Sequence, residues 1–283
     1  MPKNIPVRFT DADAAREHLE AIRWPNGPIC PHCATEGRAS AIKGGRKGLM
    51  FCNACRKQFS VTVGTVFERS KIPLHTWLYA NHLLVSFKKG MSAHQLHRTL
   101  GVTYKTAWFM AHRIRKAMEP ATGTPPIGGE DKVVEADEMF IGNKAATKKH
   151  AGAGGYGHKR VILALVERGG PVRSFHIDRA SRPEISDAMF YNVHAKTKVY
   201  TDGANHYRFM PTSLHSTVDH SKGEYVRGKV HTNTVEGVFS IFRRGMVGTY
   251  QHCGEQHLQR YLTEFDFRYS NPRFLGRGRR HAR

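Results

Sequence analysis

Acid is what this 283-residue chain is short of: 23 Asp and Glu stand against 44 Lys and Arg, a formal net charge of +21 with 18 histidines left out. That deficit points to a polyanionic partner, because neutralising phosphates releases their counterions. The plainer alternative is a basic surface serving solubility or a ribosome-type role. Long apolar runs are also missing. None approaches the ~18 consecutive residues of a membrane helix, so no membrane partner is expected. Behind Lys3 the N-terminal stretch has no apolar segment, and a secretion signal is not expected either. The expected location is the cytoplasm, with the basic charge expected to associate the chain with the nucleoid. Hydrophobic residues at 40% and charged residues at 24% suit a folded protein and argue against wholesale disorder. The length allows roughly one to three domains of about 100–200 residues.

Cysteine is scarce and ordered. Of five, Cys30, Cys33, Cys52 and Cys55 form C-x2-C-x18-C-x2-C, and Cys253 stands apart. Two such knuckles bring four thiolates to one zinc ion with no position left for water, which makes the Zn2+ structural rather than catalytic. Two disulfides are the alternative, disfavoured in a reducing compartment. Cys253 reads as a small buried hydrophobe.

Residues 10–23 predict a helix capped by Thr10 or Asp11. Residues 25–68 then read as a small ribbon with a hairpin tip at 44–48, completed by a β-rich QFSVTVGTVF. From Pro73 the period becomes helical. Residues 74–87 form one helix; AHQLHRTL and YKTAWFMAHRIRKAM, separated by Gly101 and Thr103, have the pattern of a helix-turn-helix or an ordinary helical hairpin. Its last helix is expected to turn Lys105, His112, Arg113, Arg115 and Lys116 outward, with Trp108, Ile114 and Met118 inward. Residues 120–129 read as a linker. Beyond it come strands at VVEADEMFIG, 161–167 and 172–177, a helix near 183–193 and a buried strand at 198–202, an α/β layer fold with a mixed sheet. The expected organisation is therefore 1–70 helix plus zinc ribbon, 71–120 helix-turn-helix region, 130–272 α/β domain and 273–283 basic tail. The segment 142–160 and the tail each carry five Lys or Arg and no acid. Lys159 and Arg160, with His158, are expected to track a DNA backbone.

In so basic a chain, clustered acids call for a reason. Five of the 23 fall within nine residues: Glu130, Asp131, Glu135, Asp137 and Glu138. Strand alternation places Glu135 and Asp137 on one face and Glu138 on the other. Asp202 ends a later strand, and Glu236 lies near the start of a helix that opens at Thr232 or Thr234. Asn233 stands three residues before Glu236, and Arg243 seven after, two turns along the same face. His206 and His231 read as surface or phosphate-contacting residues beside these acids.

The order strand Asp, strand Asp, helix Glu with a basic residue seven further on resembles the DDE transposases with an RNase H-like core. VEADEMFIGNK, VYTDGANHY, HTNTVEGVFSIFRRGMVGTY and HLQRYLTEFDFRYSN, behind CPHC and CNAC, resemble the ISXO-like insertion-sequence group over about residues 5–272. The resemblance implies a transposase that binds double-stranded DNA at inverted-repeat ends and at its target, working as a homo-oligomer in a synaptic complex. It implies two Mg2+ ions, or Mn2+, held by Asp137, Asp202 and Glu236, with Arg243 and its neighbour Arg244 on phosphate. Related enzymes usually carry Lys at the position of Arg243, and some carry Asn as the third ligand. Asn233 therefore competes with Glu236, which the charge and the offset to Arg243 favour. The rivals are a zinc-ribbon, helix-turn-helix regulator without catalysis and a structure-specific nuclease of the same fold.

Overall fold

The computed structural model describes residues 5–144, 156–219 and 222–272. These fall into two compact units, one within Met1–Leu84 and Ala93–Ala117, the other within Val85–Ser92 and Met118–Arg283. Among the described residues, no helix is long and apolar enough to cross a membrane.

In the first unit, helix α1 (Ala12–Arg23) starts where the Asp11 carboxylate accepts the Ala14 amide at 2.8 Å. The ribbon is a three-stranded antiparallel sheet of β1 (Ala39–Ala41), β2 (Met50–Cys52) and β3 (Gln58–Phe59), with the expected tip between Ala41 and Met50. It has little apolar material of its own: Trp24, Phe59 and Val61 pack beside the buried Cys30 and Cys52. The expected long final strand stops at Phe59, because the chain turns at Ser60–Val63 and Arg23 donates to the carbonyls of both Val61 and Val63 at 2.6 Å. Those carbonyls are satisfied by a guanidinium instead of a sheet partner.

Helices α2 (Leu74–Ser86), α3 (Ala93–Leu100) and α4 (Tyr104–Ala117) follow. Between the last two, Gly101 sits at φ +68°, a conformation that costs a residue with a Cβ, and the Thr103 hydroxyl caps α4 through the Thr106 amide at 3.2 Å.

The second unit is built on a five-stranded mixed sheet: β4 (Val133–Asn143), β5 (Lys159–Glu167), β6 (Val172–Ile177), β7 (Lys198–Asp202) and β8 (His215–Val218), ordered β6-β5-β4-β7-β8. The first three pair antiparallel; β4, β7 and β8 run parallel. Numbered within the domain the order is 3-2-1-4-5, the RNase H-like arrangement. Val161 through Val166 of β5 are all buried because both sheet faces are covered. On one face Met139, Ile162 and Ala164 meet helices α6 (Asn233–Gly245) and α7 (Leu258–Ser270). On the other, Val134, Ala136 and Leu163 meet α5 (Arg182–Asn192).

Two features differ from the sequence reading. The end of the expected linker is part of the fold: Ile127 is buried and bridges Val193, and the Gly128 amide donates to Glu167 at 2.9 Å. Gly128 is required there, since a Cβ would lie 2.3 Å from the Thr197 hydroxyl. Strand β8 and the small hairpin of β9 (Val226–Arg227) and β10 (Val230–His231) are additional, too short and too polar to signal themselves.

Candidate functional site

The four ribbon cysteines converge. Their Sγ atoms all lie within 4.8 Å of one another, with Cys30–Cys55 and Cys33–Cys52 each at 3.7 Å. A tetrahedron with Zn–S bonds of about 2.3 Å has S–S edges of about 3.8 Å, so the donor set fits zinc. The two knuckles are built alike. In each, the residue four past the first cysteine, Ala34 or Arg56, has a φ near +60° and returns its amide to that cysteine's carbonyl.

The acids converge through strand register. Glu135 of β4 stands opposite Tyr200 of β7 in a parallel pair. Two residues further along each strand, past the last paired residues, come Asp137 and Asp202; the Asp202 charge acts on Asp137, although Asp202 is not part of the cavity wall. Asp137 then shares a cavity of about 480 Å³ with Glu138, Phe140, Tyr156, Glu236, Arg243 and Arg244. Burial, followed by the negative charges of Glu138, Asp202 and Glu236, pushes the Asp137 carboxyl up to about 8. Hard carboxylate oxygens crowded until they repel one another fit divalent cations such as Mg2+. Asn233 is the first residue of α6, exposed, and not part of the cavity wall.

What holds α6 against the sheet is a residue the sequence reading placed in the acidic cluster without a role. Glu135 is fully buried and accepts from the amides of Thr234 and Val235 at 2.7 and 3.0 Å and from the Thr234 hydroxyl at 2.8 Å. Thr232, one of the two expected openings of the helix, occupies the N-cap position but makes no side-chain cap bond. A carboxylate at a helix N-terminus satisfies orphan amides and complements the dipole. Arg168 completes the link, bonding Glu135 at 2.5 Å, the Lys229 carbonyl at 2.8 Å, and His231 through both Nδ1 and its carbonyl at 2.9 Å. His231 is therefore part of this strut, with its side chain still partly exposed.

We expect Glu135→Ala to lower unfolding stability by roughly 3 kcal/mol or more, because it strands the Arg168 charge and two helix amides. Chemical denaturation checks this, and a loss under 1 kcal/mol would mean that α6 is anchored by other contacts.

On the opposite face, as alternation predicts, Glu138 accepts from the Tyr207 hydroxyl and pairs with His206 Nε2 at 3.0 Å. The hydrogen bond that His206 gives to the Glu138 carboxylate raises the His206 pKa. His206 is thereby a partner of Glu138, with its side chain partly exposed.

Several expected DNA-binding residues face elsewhere. Arg115 is 2% exposed and His112 is buried. Arg115 lies one i+4 step beyond Ala111 and so falls on the helix's buried stripe, while His112 packs on Trp108 with ring centroids 4.2 Å apart. Arg113 is half-buried, donating to the Glu68 carbonyl at 3.2 Å and lying over the Trp77 ring. Lys105 and Lys116 are the α4 cations left exposed. Lys159 and Arg160 are half-buried and bonded to Asn143, and Arg160 also holds the Cys253 carbonyl at 2.8 Å. Residues 145–155 of the basic segment and the tail 273–283 lie outside the described residues. Arg243 and Arg244 are exposed at the cavity.

Fold and site together define an RNase H-like protein carrying an N-terminal zinc ribbon. The chain belongs to the ISXO2-like transposases: residues 128–270 match the ISXO2-like transposase domain, and residues 10–58 match the transposase zinc-ribbon domain. A protein in transposable element ISH50 of Halobacterium salinarum is 29% identical, over 93% of this chain and 93% of its own length.

Proposed function

We propose that this transposase binds inverted-repeat DNA ends and, with divalent cations, cleaves a DNA strand and joins it to target DNA. The observation that carries the reading is the cavity at which Asp137 and Glu236 face Arg243 and Arg244 inside the family's transposase domain. Asp137, Asp202 and Glu236 would hold two Mg2+ ions, or Mn2+, which when bound supply an activated oxygen nucleophile and a Lewis acid for the leaving oxygen. Arg243 and Arg244, on the last turn of α6, offer guanidinium forks to the flanking phosphates. Glu135 keeps α6, and with it Glu236, in place over the sheet. The exposure of Asn233 away from the cavity supports Glu236 as the third ligand.

The ribbon and the α3–α4 pair would supply DNA binding, with Lys105 and Lys116 on phosphate. Synapsis of two ends asks for a homo-oligomer, acting at the nucleoid in the cytoplasm. The test is incubation of the protein with end-containing DNA, target DNA and Mg2+. Nicking at the end followed by joining of the free 3′-OH is expected. Cleavage without joining would favour a nuclease, and indifference to scrambled ends would overturn end recognition.

For the binding helix, Lys105→Ala and Lys116→Ala should each reduce the salt slope of log K by about 0.9. Arg115→Ala should leave the slope unchanged and lower the melting temperature instead. Filter binding across a salt series, paired with thermal melts, separates the two behaviours.

A further inference from the structure

Beside the acids, the same cavity holds a feature that phosphate chemistry does not use. The Phe140 and Tyr156 rings are stacked, centroids 4.6 Å apart and planes within 20°, and both line the cavity with Asp137, Glu236, Arg243 and Arg244. Tyr156 is 63% exposed, so the stack does not serve to bury it. The exposed pair on α5, Phe190 and Tyr191, makes a useful contrast: those rings meet edge-on at 85° and neither lines this cavity.

We propose that Phe140 and Tyr156 form a stacking platform for one nucleobase drawn out of the DNA stack next to the phosphate that Arg243 and Arg244 contact. This rests on the reading of the cavity as a DNA cleavage site. The occupant follows from the mixture on the walls. A planar π-face calls for a flat ring, two adjacent guanidinium groups call for an anion, and a nucleotide carries both within one unit. About 480 Å³ lies within the ~300–1,000 Å³ of sites that take small organic groups. Aromatic stacking is tolerant of base identity, so the platform asks for an unstacked base rather than a particular one. Extruding a base from a duplex costs a few kcal/mol, and least where pairing is already weakened. A receptor at the scissile phosphate would return part of that cost and fix the strand for in-line attack.

The test measures binding of end-containing duplexes in Ca2+, with single abasic sites placed in turn across the end and, separately, across a target duplex offered with pre-cut ends. Tyr156→Ala should weaken binding of intact DNA by roughly 5- to 150-fold. Tyr156→Phe and Tyr156→Trp should retain affinity. At one position the abasic site should weaken the unaltered protein but not Tyr156→Ala, a non-additivity that reports direct coupling. Whether that position lies in the end or in the target assigns the source of the base. Additive effects at every position, undiminished binding by Tyr156→Ala, or an equal loss in Tyr156→Phe would overturn the platform. Coupling without any Mg2+-dependent cleavage would instead overturn the catalytic reading and leave the platform standing.

Discussion

Asp137→Asn should reduce Mg2+-dependent cleavage of end-containing DNA on the order of 10³-fold or more, equivalent to about 4 kcal/mol of lost transition-state stabilisation. The amide keeps the shape of the side chain but offers half its oxygens and no charge. Structure should survive. In the folded protein without added Mg2+, the Asp137 carboxyl is pushed up to about 8, chiefly by burial and then by its acidic neighbours. Its folded pKa lies above its unfolded value of 3.8, so the folded state binds the extra proton between those limits. Stability is therefore lost as pH rises from about 4 towards 8. Asn carries no such penalty. The variant should melt with the unaltered protein at pH 4 and above it at pH 8.5, measured without chelator so that zinc stays bound. A variant that melts lower at both values, or cleaves at the original rate, would sink the role given to Asp137. Glu236→Gln should match it in cleavage. Asn233→Ala should cost less than about tenfold, and the reverse ranking would make Asn233 the third ligand.

The second large effect concerns zinc. The ribbon's strands run only three, three and two residues, over a cluster of five buried side chains that includes two of the cysteines. So small a core cannot support itself, and structural zinc supplies apparent binding energies of about 10–16 kcal/mol to modules of this kind. Cys52→Ser should therefore abolish the ordered ribbon, lower zinc content from one ion to none and eliminate end-specific binding. The second unit should retain its own cooperative melting transition. Metal analysis and amide exchange on one sample report both outcomes. Full zinc content in the Cys52→Ser protein would show that the ion is held elsewhere.

The zinc knuckles and the strand-borne acids were legible because their signals are local: a fixed spacing, an alternation, an apolar run such as Val161–Val166. Asp137, Asp202 and Glu236 emerged as a set only through resemblance, since nothing in their spacing says that β4 and β7 pair in parallel. Glu135 was visible as one acid among five, but its service to α6 depends on a contact across 99 residues. Lys105 and Lys116 point outward as expected, whereas Arg115 does not, for a different reason. A basic residue at any helical position reads as outward, yet the buried stripe through Ala107, Ala111 and Ile114 is wide enough to include Arg115. Thr232 opens α6 as the sequence suggests, but the carboxylate that caps the helix comes from a distant strand.

The Glu135 strut also sets an order of assembly. The sheet cannot close around β4 without interring a carboxylate, and the amides that receive it belong to a helix that is synthesised about a hundred residues later. A chain that ends before α6 would therefore bury that charge without its two helix amides, and should stay open to proteases. Arrival of residues 233–245 is then the event that lets the sheet settle, and the same event delivers Glu236 to Asp137. On the proposed reading, the helix that settles the sheet and the residue that completes the acidic site arrive together, and α7 then closes the same sheet face.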